Sequence, residues 1–169
     1  MSHDAEAASS PALTMSRRAG QIRYHLNWQG TAIKVQYERL AANMYVDPED
    51  SVLESMNSHM RAVVDLDFLV TSVRRLLRVA EQARSFGLDP KRELKLAIKI
   101  FNSRWLPYLV DIRNTLEHVD GPGTPFGPSR GGGAISFAHP NGQVDAGKLY
   151  AAARELHKAI NRAIEPFES

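Results

Sequence analysis

The 169-residue chain contains no cysteine. Disulfides, thiolate metal sites and cysteine nucleophiles are therefore excluded, and nothing points to an oxidising compartment. Long apolar runs are lacking as well: none approaches the roughly 18 residues that a membrane-crossing helix needs. The first ten residues carry Asp4 and Glu6 and no apolar stretch of the signal-peptide kind. A cytoplasmic location with no membrane contact is the expectation. Charge of one sign is also missing, because 21 Lys and Arg face 19 Asp and Glu, for a net charge of +2 and a pI of about 9.0. That balance permits a nucleic-acid partner without requiring one. Most of the basic residues are arginine, whose planar fork grips phosphate with two hydrogen bonds but equally forms ordinary surface ion pairs.

Glycine and proline are concentrated between Gly121 and Gly133, and elsewhere apolar residues recur at helical spacing. Residues 1–16 are small and polar and read as a disordered tail, leaving one helical domain over 17–165. From Ile22 two periods compete. Ile22, Tyr24, Leu26 and Trp28 alternate as a strand would, while Ile22, Leu26, Ile33, Tyr37, Leu40 and Met44 form a helical stripe. The polar residues Arg23, Asn27, Lys34 and Glu38 also repeat at three and four, which favours helix. Asp47-Pro48 marks a stop and a new start. From Glu49 to Phe86 no glycine or proline intervenes, and Val52, Met56, His59, Val63, Leu66, Val70, Val73, Leu77 and Ala80 follow a four-three alternation. Such a helix would span about 57 Å at 1.5 Å per residue, so it either bends or lends part of its length to a second protomer.

Gly87 ends that helix, and Asp89-Pro90 reads as the N-cap and first residue of the next. Leu94, Ile98, Phe101 and Trp105 form its core stripe, with Lys91, Lys95 and Lys99 on another face as solvated surface or a phosphate track. Pro107 is expected to kink or break it before Leu109, Ile112 and Leu116 resume the pattern. The Gly/Pro-rich stretch from 121 to 133 is read as irregular. Ile135 to Val144, turning at Asn141-Gly142, suits a small hairpin. A last helix starts at Asp145 or Gly147 and runs to Ile164. The expectation is an all-α antiparallel four-helix bundle with a Gly/Pro-rich insertion and a small β-hairpin before the last helix.

The chemistry-bearing constellation is Arg113-Asn114-Thr115-Leu116-Glu117-His118, at the end of the third helical region. On a helix Asn114 and His118 share a face, and Arg113 reaches the same pocket only through the length of its side chain. Two plainer explanations remain open: an Arg113–Glu117 surface ion pair, and a His118 favoured as a cation by the helix dipole. Other candidates are weaker. Asp65 and Asp67 point about 200° apart on a helix, which disfavours a shared metal. His25, His139 and His157 lack partners at metal spacing, and His59 reads as packed in the seam. No cofactor and no metal are expected.

An arginine, a polar residue, three residues and a histidine, late in the third helix of an all-helical chain of this size, resembles the HEPN family (higher eukaryotes and prokaryotes nucleotide-binding domain). The resemblance covers residues 17 to 165 by helix order, and Arg113, Asn114 and His118 by identity. It implies a metal-independent endoribonuclease of toxin or defence type, cutting RNA at a composite site across a homodimer interface. His118 would act as general base or acid toward a ribose 2′-hydroxyl. Arg113 would neutralise charge on the transition state, and Asn114 would orient the phosphate or the imidazole. For toxin-type members an antitoxin is a further partner. Other members have lost catalysis, so the alternative is a catalytically inactive helical dimer serving as a protein- or nucleotide-binding module.

Overall fold

The structure, a computed structural model, describes residues 11–45, 49, 51–117, 128–131, 134–139 and 142–168. Four helices enclose one apolar core: α1 (Pro11–Asn43), α2 (Val52–Ser85), α3 (Glu93–Glu117) and α4 (Ala146–Ile164). The chain is thus mainly helical, with helical-bundle character. Among the described residues no helix is long and apolar enough to cross a membrane. α1 confirms the helical period over the alternating one, since Ile22, Leu26, Ile33, Leu40 and Met44 are all buried and Trp28 is exposed. It starts at Pro11, six residues before the expected Arg17, so 11–16 is helix rather than tail. Proline is preorganised for the first helical position, and Ala12, Leu13 and Met15 are good helix formers.

α1 runs antiparallel to α2. At one end Arg18 lies over the Phe86 ring at 5.3 Å, and at the other Asn43 donates to the Asp65 carboxylate at 2.6 Å. The two helices are offset, because the end of α1 meets α2 a dozen residues into it. Ser51 caps α2 through a capping box with Glu54, so the helix starts at Val52, three residues after Glu49. The seam of α2 is buried from Ala62 to Ala83. Its first three turns have no cover among the described residues, so Val52 (78% exposed), Met56 and His59 stand in solvent instead of in the expected core. Periodicity reports which residues share a face, not whether anything covers that face.

Gly87, at φ 79, turns the chain out of α2. α3 then begins at Glu93, not at Pro90, because the Asp89 carboxylate reaches forward to accept from the amides of Leu94 (3.1 Å) and Lys95 (2.9 Å). Pro107 does not break α3, which is one helix from Glu93 to Glu117. The loss of about 3 kcal/mol that an interior proline brings is offset by the burial of Trp105, Leu109 and Ile112 around it.

Before α4 a small antiparallel sheet forms from β1 (Pro128–Gly131), β2 (Ala134–His139) and β3 (Gly142–Asp145), in that order. The β2–β3 pair, with Phe137 opposite Val144, is the expected hairpin. β1 corrects the reading of 121–133 as irregular throughout: Pro128 opens an edge strand, a position where the missing N–H is tolerated. Residues 118–127, 132–133 and 140–141 lie outside the described set. Asp145 caps α4 by accepting from the Lys148 amide at 3.0 Å, and α4 buries Leu149, Leu156, Ile160 and Ile164 as its spacing implied.

α4 packs antiparallel on α1, with Tyr37 stacked on Tyr150 (ring centroids 4.4 Å apart, planes at 4°) and Asn161 bonded to Arg23. Midway the two helices come so close that a Cβ on Gly30 would lie 2.7 Å from Nε2 of His157. Gly30 is therefore the residue that admits the imidazole, which outweighs its helix penalty of about 1 kcal/mol. Gly30→Ala is expected to destabilise the fold by about 1–2 kcal/mol through overpacking, and Gly30→Ala with His157→Ala to lose clearly less than the sum of the single variants. Chemical denaturation of the four proteins measures this, and additive losses would contradict the contact.

Candidate functional site

The candidate site was expected around Arg113, Asn114 and His118. The structure places the backbone of Arg113 and Asn114 in the last turns of α3. His118 lies outside the described residues. The cleft nearest to them in the chain opens among α3, β3 and the start of α4. It holds about 500 Å³ and is lined by Arg104, Trp105, Tyr108, Asp111, Gln143 and Lys148. Arg104 lies over the Trp105 ring at 5.4 Å, and Trp105 meets Tyr108 edge-on at 6.5 Å. The cleft thus combines two cations and two carboxylates, Asp111 and Asp145, with aromatic rings that offer a stacking surface for flat bases. Asp111 is its nearest carboxylate to Arg113 in sequence.

A second groove of about 620 Å³ lies between α1 and α4, with Lys34, Tyr150, Arg154 and Lys158 on its walls and His157 within it. Lys158 is paired with Glu155 at 2.7 Å and Lys34 with Glu38 at 3.8 Å, while Arg154 lies over Tyr150 at 5.9 Å. His157 is half-buried and held on both sides. Asn161 takes Arg23 Nη1 on its side-chain oxygen, so its amide nitrogen is the donor to His157 Nδ1 at 3.1 Å. Nδ1 is then an acceptor, the imidazole is neutral, and its N–H faces the Leu26 backbone. Arg23 in turn grips Glu168 with two bonds of 2.7 and 2.5 Å. The chain Glu168–Arg23–Asn161–His157 ties residue 168 to α1 and α4 and occupies Nδ1 of the ring. The i,i+4 spacing of His157 and Asn161 was visible in the sequence; the approach of Gly30 was not.

A third groove, of about 690 Å³, lies between α2 and α3 and is lined by Arg84, Arg92, Lys95, Leu96, Lys99 and Asn102, among others. Elsewhere, Asp65 is 1% exposed, with Arg39 Nε as an ion pair 3.0 Å from Oδ1 and Asn43 on Oδ2. Asn43 also accepts from Arg61 Nε at 3.2 Å. A carboxylate can be buried at this helix crossing only because both its oxygens face a cation or an amide. Asp65 is thus a packing element, pointed into the α1–α2 contact.

In comparison with known proteins, no family model, no curated protein and no solved structure matches the chain.

Burial, and then the Arg23 charge, pushes His157 below its ordinary value of 6.5, against the Leu26 backbone bond, which favours the charged form. Above that value the imidazole is neutral in both folded and unfolded chains. As pH falls through it, the unfolded chain takes up a proton that the folded one resists, so stability declines. Between pH 7.5 and about 5.5, calorimetry is expected to show a larger fall in melting temperature for the wild type than for His157→Gln. The lowered carboxylates Glu54, Glu155 and Glu168 titrate below this window. Parallel shifts in the two proteins would rule out His157 as the source.

Proposed function

We propose that the chain is a HEPN-like, metal-independent endoribonuclease of toxin or defence type, with Arg113, Asn114 and His118 forming a composite site at a homodimer interface. The observation that carries this reading is the setting of Arg113 and Asn114. In sequence they follow Asp111 by two and three residues, and Asp111 lines the aromatic cleft of Arg104, Trp105, Tyr108 and Lys148. The antiparallel four-helix arrangement of the family is in keeping with α1 running against both α2 and α4.

In this reading a single RNA strand lies in the cleft, its phosphates near Arg104 and Lys148 and its bases near the aromatic rings. His118 removes the proton from a ribose 2′-hydroxyl, whose oxygen attacks the adjacent phosphorus. The bond from phosphorus to the 5′-oxygen breaks, and that oxygen is protonated by the partner's His118. The products are a 2′,3′-cyclic phosphate and a 5′-hydroxyl. Arg113 balances the charge that builds on the phosphoryl oxygens, and Asn114 holds the phosphate. Requiring the 2′-hydroxyl makes the activity specific for RNA.

Support for a second copy comes from α2. Leu53, Met56, Met60, Val64 and Phe68 form an exposed apolar stripe along its less-covered half, the kind of surface that marks an interaction site. The same stripe is what favours the alternative, a catalytically inactive dimer that binds a protein or nucleotide. An antitoxin belongs to the toxin form of the proposal.

With total RNA and EDTA, the wild type is expected to cleave, and His118→Ala to be slower by about 10²–10⁴-fold. Gel electrophoresis of the RNA reads the result. Intact RNA with both proteins, or equal cleavage by both, would reject the enzyme.

A further inference from the structure

The α2–α3 groove differs from the other two in its charge. Arg84 from the last turn of α2, Arg92 from just before α3, and Lys95 and Lys99 one turn apart on α3 all line it, and no carboxylate does. None of the four has an ion pair among the described residues, whereas Lys34, Lys148 and Lys158 in the other grooves each face a carboxylate. Of the acids nearest in sequence, Glu93 does not line the groove, and Asp89 has both oxygens turned to the Leu94 and Lys95 amides. It occupies the helix N-terminus, so an incoming anion meets side-chain cations instead. Like charges gathered in one groove repel one another, and an anionic ligand relieves that repulsion.

One further feature falls there. Arg92 holds φ 59 and is the sole non-glycine residue with positive φ among those described. An arginine therefore stands where the backbone alone would favour glycine. Two guanidinium forks and two ammonium groups, three of them spread over about two helical turns from Arg92 to Lys99, suit a row of phosphates, since arginine binds phosphate with two parallel bonds and lysine as a point charge.

We propose that the α2–α3 groove binds a ligand bearing several closely spaced phosphates, either a free polyphosphate or the backbone of a single-stranded nucleic acid. Lys99, the groove's cation nearest Arg113 in sequence, precedes it by 14 residues, about 21 Å along a helix. The groove adjoins the cleft near the end of α3 at Ser103, but its four cations are not shared with that cleft and do not depend on the nuclease reading.

The test is calorimetric titration of the full chain with sodium tripolyphosphate. One saturable site is expected, weakened at least tenfold in Lys95→Ala/Lys99→Ala with the melting temperature unchanged, as both lysines are exposed. Arg92→Gly is expected to weaken binding several-fold while raising the melting temperature, a divergence that a purely structural arginine would not produce. His118→Ala is expected to bind as the wild type does, whatever the outcome of the cleavage assay. Displacement of tripolyphosphate by oligouridylate assigns the groove to nucleic-acid backbone, and failure to displace assigns it to free polyphosphate; either supports the site. No saturable binding, unchanged binding in the double-lysine variant, or equally tight binding of polyglutamate of matched charge overturns the proposal.

Discussion

The second half of α2 is the surface on which the rest of the molecule is built. Leu66, Leu69, Val70, Val73, Leu76 and Ala80 are almost wholly buried, and α1, α3 and α4 all pack against this helix. Each large apolar side chain buried there contributes about 1.5–3 kcal/mol, so the placement of the other helices follows from how they share this seam. α1 enters it antiparallel and offset, fixed by the buried Asp65 at one end and by Phe86 at the other. α3 leaves it through the Gly87 turn. α4 closes the core against α1, at a contact that only a glycine opposite a neutral histidine permits.

The same arrangement divides the surface into regions of different charge character. Along α1 and α4 the cations are matched by Glu38, Glu155, Asp145 and Glu168, or lie over aromatic rings, so those grooves hold little uncompensated charge. Between α2 and α3 the cations stand unmatched beside an apolar wall of Leu96 and Ile98. On the first half of α2 the exposed feature is the apolar stripe of Leu53, Met56, Met60, Val64 and Phe68. These regions suit different partners: a phosphate chain in one groove, a strand with flat bases near the end of α3, and a second apolar helix face along α2.

Much of the helical layout was legible because burial and period coincide. The stripe Ile22, Leu26, Ile33, Leu40 and Met44 is the buried face of α1, and Leu94, Ile98, Phe101 and Trp105 are that of α3. Local signals were less decisive. Pro107 reads as a breaker because an isolated helix has nothing to offset the lost hydrogen bond, whereas here flanking core residues do. Asp89 is the capping residue, as its type suggests, but it reaches past Pro90, Lys91 and the left-handed Arg92, a detour that no spacing rule contains. The features that depend on distant pairs were invisible: the fit of His157 against Gly30, the cover that stops short on α2, and the third strand donated by a stretch rich in glycine and proline. The Arg113 motif was conspicuous by residue type alone, whereas the cleft that joins Arg104, Trp105 and Asp111 of α3 to Lys148 of α4 emerges only from the fold.

The proposed nuclease chemistry has a signature in its products. If the ribose 2′-hydroxyl is the nucleophile, an RNA oligonucleotide cut in the presence of EDTA ends in a 2′,3′-cyclic phosphate upstream and a 5′-hydroxyl downstream, and a single 2′-deoxy substitution at the cleaved position abolishes the cut. Mass spectrometry of the fragments reads both. Fragments ending in a 3′-hydroxyl and a 5′-phosphate, or undiminished cutting at the 2′-deoxy position, would contradict the role assigned to Arg113, Asn114 and His118.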